Sequence, residues 1–281
     1  MKVLFVGGGN MAQAIIGGLL AKGLTADDIQ AIEPFAPTRA SLDGLGVRNT
    51  VSLQPRQLDC DAIVLAVKPQ VMHEALVPFA GRLNGQLVIS IAAGVRCGNI
   101  AGWLSAGNST YPNIVRAMPN TPALIHAGIT GLFAHCGVQP EGRKAAESLM
   151  AAVGKTAWFA DESMLDAITA VSGSGPAYVF YFIEALEKAA IQMGFGPDDA
   201  RLFAVETFLG GARLAAQSVE APAELRRKVT SKRGTTERAL DVFEQHQLAD
   251  KFIEGVKAAC LRSRELGDEL GRVGNSGSAG P

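Results

Sequence analysis

Val3-Leu4-Phe5-Val6-Gly7-Gly8-Gly9-Asn10-Met11-Ala12 is the stretch that decides the fold of this chain. Its four apolar residues predict a short buried strand, and the three glycines turn the chain sharply at its end. Residues 11–22 follow with helical periodicity, which Gly23 stops. Strand, glycine turn and helix in that order open a βαβ unit, the building block of a parallel sheet covered by helices. The alternation continues downstream. Residues 29–33 read as a second short strand. Residues 61–67 (Asp-Ala-Ile-Val-Leu-Ala-Val) give the clearest buried strand, apolar on both faces and closed by Pro69. Residues 86–91 repeat the pattern and run into Ala92-Ala93-Gly94. Further strands are expected at 114–118, 129–135 and 156–159, with a helix over 140–152.

From Asp161 onward strand signals vanish. Amphipathic stretches follow at 176–193, 197–219, 223–229, 235–245 and 249–270, with Gly194-Phe195-Gly196-Pro197 marking a helix stop and restart. A chain of 281 residues suits two domains. The expected fold class is α/β, with an N-terminal Rossmann-like dinucleotide-binding domain over residues 1–160. An all-helical domain over 161–271 and a Gly/Ser-rich disordered tail over 272–281 complete it. The helical part carries more Ala, Leu and Phe than a small lobe needs for its own core, which points to a homodimer or larger assembly.

Composition narrows the classes. Hydrophobic residues make up 48% and charged residues 19%, with a formal net charge of −1, the balance of a packed globular protein. No basic run interleaved with aromatics suggests nucleic acid. Cys60, Cys97, Cys136 and Cys260 stand far apart without a C-x-x-C, and read as buried small hydrophobes in a reducing compartment. His73, His126, His135 and His246 show no metal-ligand spacing, so no metal is expected. The first apolar run is too short for a signal peptide, and no stretch nears the roughly 20 apolar residues that span a bilayer. A cytoplasmic setting is expected.

Gly7-x-Gly9-x-x-Ala12 sits where a dinucleotide fingerprint belongs, between a strand and a helix. The first glycine permits the tight turn, the second lets a pyrophosphate reach the backbone, and Ala12 keeps helix and strand close. The helix start, at Asn10 and Met11, offers unpaired N–H groups and a partial positive charge to the phosphates. Glu33 follows Gly9 by 24 residues at the end of the second strand. An acid there accepts hydrogen bonds from the adenosine ribose and disfavours a 2′-phosphate, which favours NADH. Arg39 is close enough in sequence to meet a 2′-phosphate instead, so NADPH and NADH both stay open. Ala66-Val67-Lys68-Pro69 and Ala92-Ala93 end two further strands, and their small residues leave room for ribose and nicotinamide. Val6, Gly7, Gly8, Gly9, Asn10, Met11, Glu33, Ala66, Val67, Lys68, Pro69, Ala92 and Ala93 are the candidate cofactor contacts.

Four more segments give the fingerprint a context. They are Val64-Leu65-Ala66-Val67-Lys68-Pro69-Gln70, Arg116-Ala117-Met118-Pro119-Asn120-Thr121-Pro122, Val171-Ser172-Gly173-Ser174-Gly175-Pro176-Ala177-Tyr178 and Val229-Thr230-Ser231-Lys232-Arg233-Gly234-Thr235-Thr236. In this order, and with the N-terminal turn, the chain closely resembles the pyrroline-5-carboxylate reductase family over roughly residues 1–266. The resemblance implies hydride transfer from NADPH or NADH to the cyclic imine of 1-pyrroline-5-carboxylate, giving L-proline. It also implies a helical dimerisation domain, with dimers that in many members assemble into decamers. It gives Thr236 the role of hydrogen-bond donor at the imine nitrogen. Ser231 and the backbone N–H groups of Gly234 and Thr235 would hold the substrate carboxylate. Two departures from the family pattern stand out. Arg233 replaces a usual turn residue, which either strains a turn needing φ > 0 or adds positive charge near the carboxylate. Glu33 stands where small or neutral polar residues are commoner.

Two rival readings share the scaffold. A β-hydroxyacid dehydrogenase carries a proton-relaying lysine after the glycines of its central helix, and here that position is Val179. A non-catalytic dinucleotide-binding regulator has no reason to keep Ser231, Gly234 and Thr236 together.

Overall fold

The computed structural model describes residues 1–105 and 110–273. Among them, β1 (Val3–Val6), β2 (Ile29–Ile32), β3 (Arg48–Thr50), β4 (Ala62–Leu65), β5 (Leu87–Ser90), β6 (Ile114–Met118), β7 (Gly128–Ala134) and β8 (Gly154–Phe159) form one sheet. Their order is β3-β2-β1-β4-β5-β6-β7-β8. Helices α1 (Asn10–Ala21), α2 (Ala36–Gly44), α3 (Met72–Leu76), α4 (Cys97–Trp103) and α5 (Pro140–Met150) connect the strands. After β8 come α6 (Met164–Ile168), α7 (Gly175–Gln192), α8 (Pro197–Gln217), α9 (Pro222–Lys228), α10 (Thr235–Gln245) and α11 (Leu248–Val273).

β1 pairs in parallel with β2 on one side and β4 on the other. Its residues serve both faces of the sheet. Val3 and Phe5 join the core of Ile15, Ile16 and Leu19 on α1, whereas Leu4 and Val6 join Met72, Leu76 and Ile100 on the opposite face. A fully buried Val, Leu, Ile or Phe side chain contributes about 1.5–3 kcal/mol. A strand apolar at every position is therefore stable only inside the sheet, between two layers of helix.

Three features depart from the expected layout. β3 has no apolar alternation, and its Arg48-Asn49-Thr50 gives no strand signal. It forms because β2 offers it a free edge. β7 runs antiparallel to β6, with β8 parallel to β7. The link between β6 and β7 is a short 3-10 turn, Thr121–Ile125, and a connection that short reverses the chain instead of crossing over. The chain also divides at Ser174 rather than near residue 160.

One compact unit comprises Met1–Ser174 together with the chain from Ala259 onward; the other is Gly175–Ala258. In the first unit α6 and a π-helical turn, Thr169–Gly173, pack on the sheet where Gly131 lacks a side chain against Ile168. The last part of α11 joins it too. Ser263 Oγ donates to Asp166 Oδ1 at 2.7 Å, and Arg96 pairs with Asp268 at 2.6 Å. Gly267 lies in mid-helix because a Cβ there would stand 2.9 Å from the Gly94 carbonyl oxygen. Helical periodicity is the same whichever core a helix joins, so the pattern alone does not show that the helical run up to Ser174 packs with the sheet. α11 extends through Val273, so Arg272 is helical and not part of a tail; the rest of the expected disordered tail, 274–281, lies outside the described residues. In the second unit, Tyr178 and Phe182 on α7 stack on Phe252 of α11 with ring centroids 5.6 and 5.7 Å apart.

Only Cys97 meets the expectation of a fully buried thiol. Cys60 and Cys260 are half-buried and Cys136 is exposed. Burial, reinforced by the negative charge of Glu162, pushes the Cys97 thiol up, and burial pushes Cys60 up to about 11. Among the described residues no helix is long and apolar enough to cross a membrane.

A buried ion pair ties β6 to the segment before α6. Arg116, 5% exposed, reaches Glu162 Oε1 at 2.8 Å, and the same oxygen accepts the Cys97 N–H at 2.7 Å. Removing the carboxylate leaves a buried guanidinium unpaired. Glu162→Ala is expected to cost about 2–3 kcal/mol, the low end for a buried pair because Glu162 is partly exposed. Arg116→Met/Glu162→Leu should recover most of it, as read from urea unfolding midpoints. An unchanged midpoint for Glu162→Ala would show that the pair contributes nothing.

Candidate functional site

Parallel pairing lines up the carboxyl ends of β1, β2, β4 and β5. Val6 stands opposite Ile32 and Leu65, and Leu65 opposite Ser90. The turn Val6 to Met11, Glu33, Ala66-Val67-Lys68-Pro69 and Ala92-Ala93 therefore share one edge of the sheet. Ligands of open parallel sheets bind at this edge.

The three glycines have separate reasons. Gly7 adopts φ +95°, and a Cβ there would lie 2.8 Å from the Ala66 carbonyl oxygen. Its N–H donates to Ile32 O at 2.8 Å, so the turn is closed by β2 and crowded by β4. A Cβ on Gly8 would lie 2.7 Å from Leu42 Cδ1. Gly9 differs from both: its φ is −64°, and a Cβ would meet no atom within 4 Å. The chain's own packing does not need a glycine at position 9. The space it leaves lies at the N-terminus of α1, whose first turn holds no acidic residue. The first N–H groups of a helix lack intrahelical partners and carry partial positive charge, so this space suits an anion such as a pyrophosphate.

Glu33 is 9% exposed and built into the turn. Its Oε2 accepts the Gly8 N–H and its Oε1 the Phe35 N–H, each at 2.8 Å. Arg39 Nη1 donates to the carbonyl oxygens of Glu33 and Pro34, at 3.1 and 2.7 Å. Beyond the ends of β1, β2 and β4 lies a cavity of about 370 Å3, lined by Ile32, Val51, Leu53, Val67, Glu74 and Phe79 among others. Its apolar walls suit a flat heteroaromatic base. Sequence reasoning missed Val51, Leu53 and Phe79. They lie in loops and a 3-10 turn with no periodic signal, and only the strand order brings them to the cavity.

In the second unit, residues 231–236 form a turn leading into α10. The Gly234 N–H donates to the Ser231 carbonyl oxygen at 3.0 Å. The turn itself thus engages the donor that the resemblance assigns to a substrate carboxylate. A Cβ on Gly234 would stand 2.6 Å from Ser231 Oγ, which makes glycine necessary there. Thr230 Oγ1 bonds back to Arg226 O at 2.7 Å, and the Glu237 carboxylate turns back to the Arg233 N–H. Neither neighbour engages the hydroxyls of Ser231 and Thr236, and the first N–H groups of α10 lack intrahelical partners. Arg233 takes φ +59°, so the turn does need the left-handed region, and a non-glycine residue there costs about 1 kcal/mol or more. Val179, on α7, is 44% exposed. Among the described residues no three His, Cys, Asp or Glu side chains group as a metal site.

Residues 162–266 match the model of pyrroline-5-carboxylate reductase dimerisation, and residues 2–94 that of NADP oxidoreductase, coenzyme F420-dependent. The pyrroline-5-carboxylate reductase of Pseudomonas aeruginosa is 40% identical over 273 residues, 96% of this chain and 98% of that one. The chain belongs to the pyrroline-5-carboxylate reductase family. The family's solved structures agree with the fold. A Coxiella burnetii member superposes with a TM-score of 0.84 at 40% identity, covering 94% of this chain and 98% of that one. The Plasmodium falciparum member, solved with NADP bound, gives 0.82 at 26% identity, covering 95% and 98%. In family terms, the dimerisation match begins at Glu162, the carboxylate that holds Arg116.

Gly9 supplies a clean test of the anion cradle. Gly9→Ala is expected to fold with a loss of no more than about 1 kcal/mol, the Gly-to-Ala difference at a helix N-cap. Binding of NAD+ and NADP+ to the same variant, measured by calorimetry, should weaken about tenfold or more. Equal binding by variant and wild type would remove the cradle from the site.

Proposed function

We propose that this chain reduces 1-pyrroline-5-carboxylate to L-proline with NADPH or NADH, the final step of proline biosynthesis. The observation that carries the proposal is the unfilled space at Gly9. It opens on the bare N-terminus of α1, beside an apolar cavity of base size, in a chain of this family. The nicotinamide dinucleotide supplies the hydride when bound. Gly7, Gly8, Gly9, Asn10 and Met11 hold its pyrophosphate. Val6, Glu33, Ala66, Val67, Lys68 and Pro69 border the adenosine half, and Ala92 and Ala93 leave room for the nicotinamide half.

The chain's part in the chemistry is modest because the substrate is prepared for it. A cyclic imine nitrogen is basic enough to be partly protonated near neutral pH, and its carbon then accepts hydride while nitrogen keeps the proton and the electron pair. Positioning and one hydrogen bond at nitrogen suffice. Thr236 Oγ provides that hydrogen bond. The Ser231 hydroxyl and the Thr235 N–H, at the N-terminus of α10, hold the substrate carboxylate. Gly234 lets Ser231 pack against the turn. Val179 carries no proton, which disfavours a β-hydroxyacid dehydrogenase, whose alcohol or ketone needs a relay.

The helical unit serves as the dimerisation surface. Phe180, Tyr181, Phe203 and Leu214 on its helices, and Met193 in the turn after α7, are each more than half exposed, an apolar area that a second copy would cover. The assembly is at least a homodimer, with a decamer assembled from such dimers as its larger form. The enzyme works in the cytoplasm, where free thiols stay reduced.

Loss of reduced-cofactor absorbance with formation of proline, from purified chain and pyrroline-5-carboxylate, tests the activity; no turnover with either cofactor rejects it. Thr236→Ala is expected to lower kcat roughly a hundredfold with little change in KM, and Thr236→Ser to keep most of the rate. Identical kinetics in both variants would end the role of Thr236. Light scattering should return at least twice the 29.4 kDa chain mass.

A further inference from the structure

We propose that Glu33 makes this chain selective for the dinucleotide with a free adenosine 2′-hydroxyl, NADH, over the 2′-phosphorylated NADPH. The inference rests on the reading of the chain as an NAD(P)H-dependent reductase, and it names which of the two the site takes.

Three observations carry it. First, the Glu33 carboxylate is 9% exposed and fixed by two backbone N–H groups, those of Gly8 and Phe35. A carboxylate has about four acceptor positions. Two are filled, so the group can still accept ribose hydroxyls, yet it has no proton to offer a phosphate. It cannot swing aside either, because the Gly8 N–H belongs to the turn that cradles the pyrophosphate. Leaving it would open that turn and strand a buried N–H.

Second, the nearest cation in sequence is committed elsewhere. Arg39 Nη1 is spent on the carbonyl oxygens of Glu33 and Pro34, so the guanidinium braces the backbone at the end of β2. An arginine that receives a 2′-phosphate presents its fork to solvent or ligand, not to the main chain. Third, the cavity beside Glu33 offers a phosphate no cation. Ile32 and Pro34, on either side of Glu33, border it, and its one charged lining residue is an acid, Glu74 on α3. A phosphate approaching Glu33 meets repulsion that water screens poorly, because that carboxylate is only 9% exposed. A ribose bearing two hydroxyls meets acceptors instead.

Two measurements test this on the whole chain. Calorimetric titration with NAD+ and NADP+ reads selectivity without turnover, and kcat/KM with NADH and NADPH reads it in the reaction. NADH and NAD+ are each expected to lead by about tenfold or more, a difference of about 1.4 kcal/mol. Glu33→Ser should narrow or reverse the ratio in both measurements, and Glu33→Gln, which keeps one acceptor for the turn, should narrow it with less loss of stability. A purely structural Glu33 would weaken both dinucleotides by the same factor and leave the ratio unchanged, which overturns the proposal. Equal or better use of NADPH by the wild type overturns it as well. Selective NAD+ binding without turnover would sustain the cofactor assignment and reject the reductase reading; binding of neither dinucleotide rejects both.

Discussion

Everything at the N-terminal edge of this molecule depends on one close approach, that of Gly7 to the end of β4. The backbone of Gly7 passes so near the Ala66 carbonyl that no side chain fits, and it does so with φ +95°. The approach is forced by the sheet. β1 is apolar at every residue and must be buried on both faces, so it sits between β2 and β4, and its exit turn has to clear both. A glycine in the left-handed region is the means of clearing them. Because the turn is tight, α1 starts at once, and its bare N-terminus stands over the carboxyl ends of the strands.

From that geometry the electrostatics follow. The sheet edge gathers one helix N-terminus with no acid in its first turn and one carboxylate locked to the loop by Gly8. The former suits an anion, and the latter suits hydroxyl donors. These opposite preferences lie a single residue apart in the loop, so on the proposed function the pair would read a dinucleotide at two points. The turn before α10 repeats the first device in the second unit, where Ser231, Thr235 and Thr236 surround a helix start. Arg233 shows the cost of that turn, a strained backbone kept where glycine would sit at ease.

Much of this was legible along the chain, and the reasons for the exceptions are physical. Apolar runs bounded by glycine or proline placed β1, β4 and β5, because buried parallel strands need no partner pattern to be recognised. Arg48-Asn49-Thr50 gave no such sign, since an edge strand of three polar residues exists only by its hydrogen bonds to β2. The reversal of β7 was hidden too: a strand's residue pattern is the same in either direction. The end of α11, read as residue 270, runs on to Val273, and Gly267 and Gly271 let the helix approach Gly94 and Asn99.

Local chemistry along the chain set the glycine turn, the α/β order of elements, the helical third and the segments that carry the family. These are local in origin: periodicity, turn chemistry and short motifs are written into neighbouring residues. What Gly9, Glu33 and Arg39 do came from packing between distant segments. Gly9 proved to be the glycine that makes room rather than a turn, Glu33 became part of the glycine loop, and Arg39 was drawn onto the backbone. Each of these depends on how far apart the ends of β1, β2 and β4 lie in space, a distance set by pairing between strands remote in the chain.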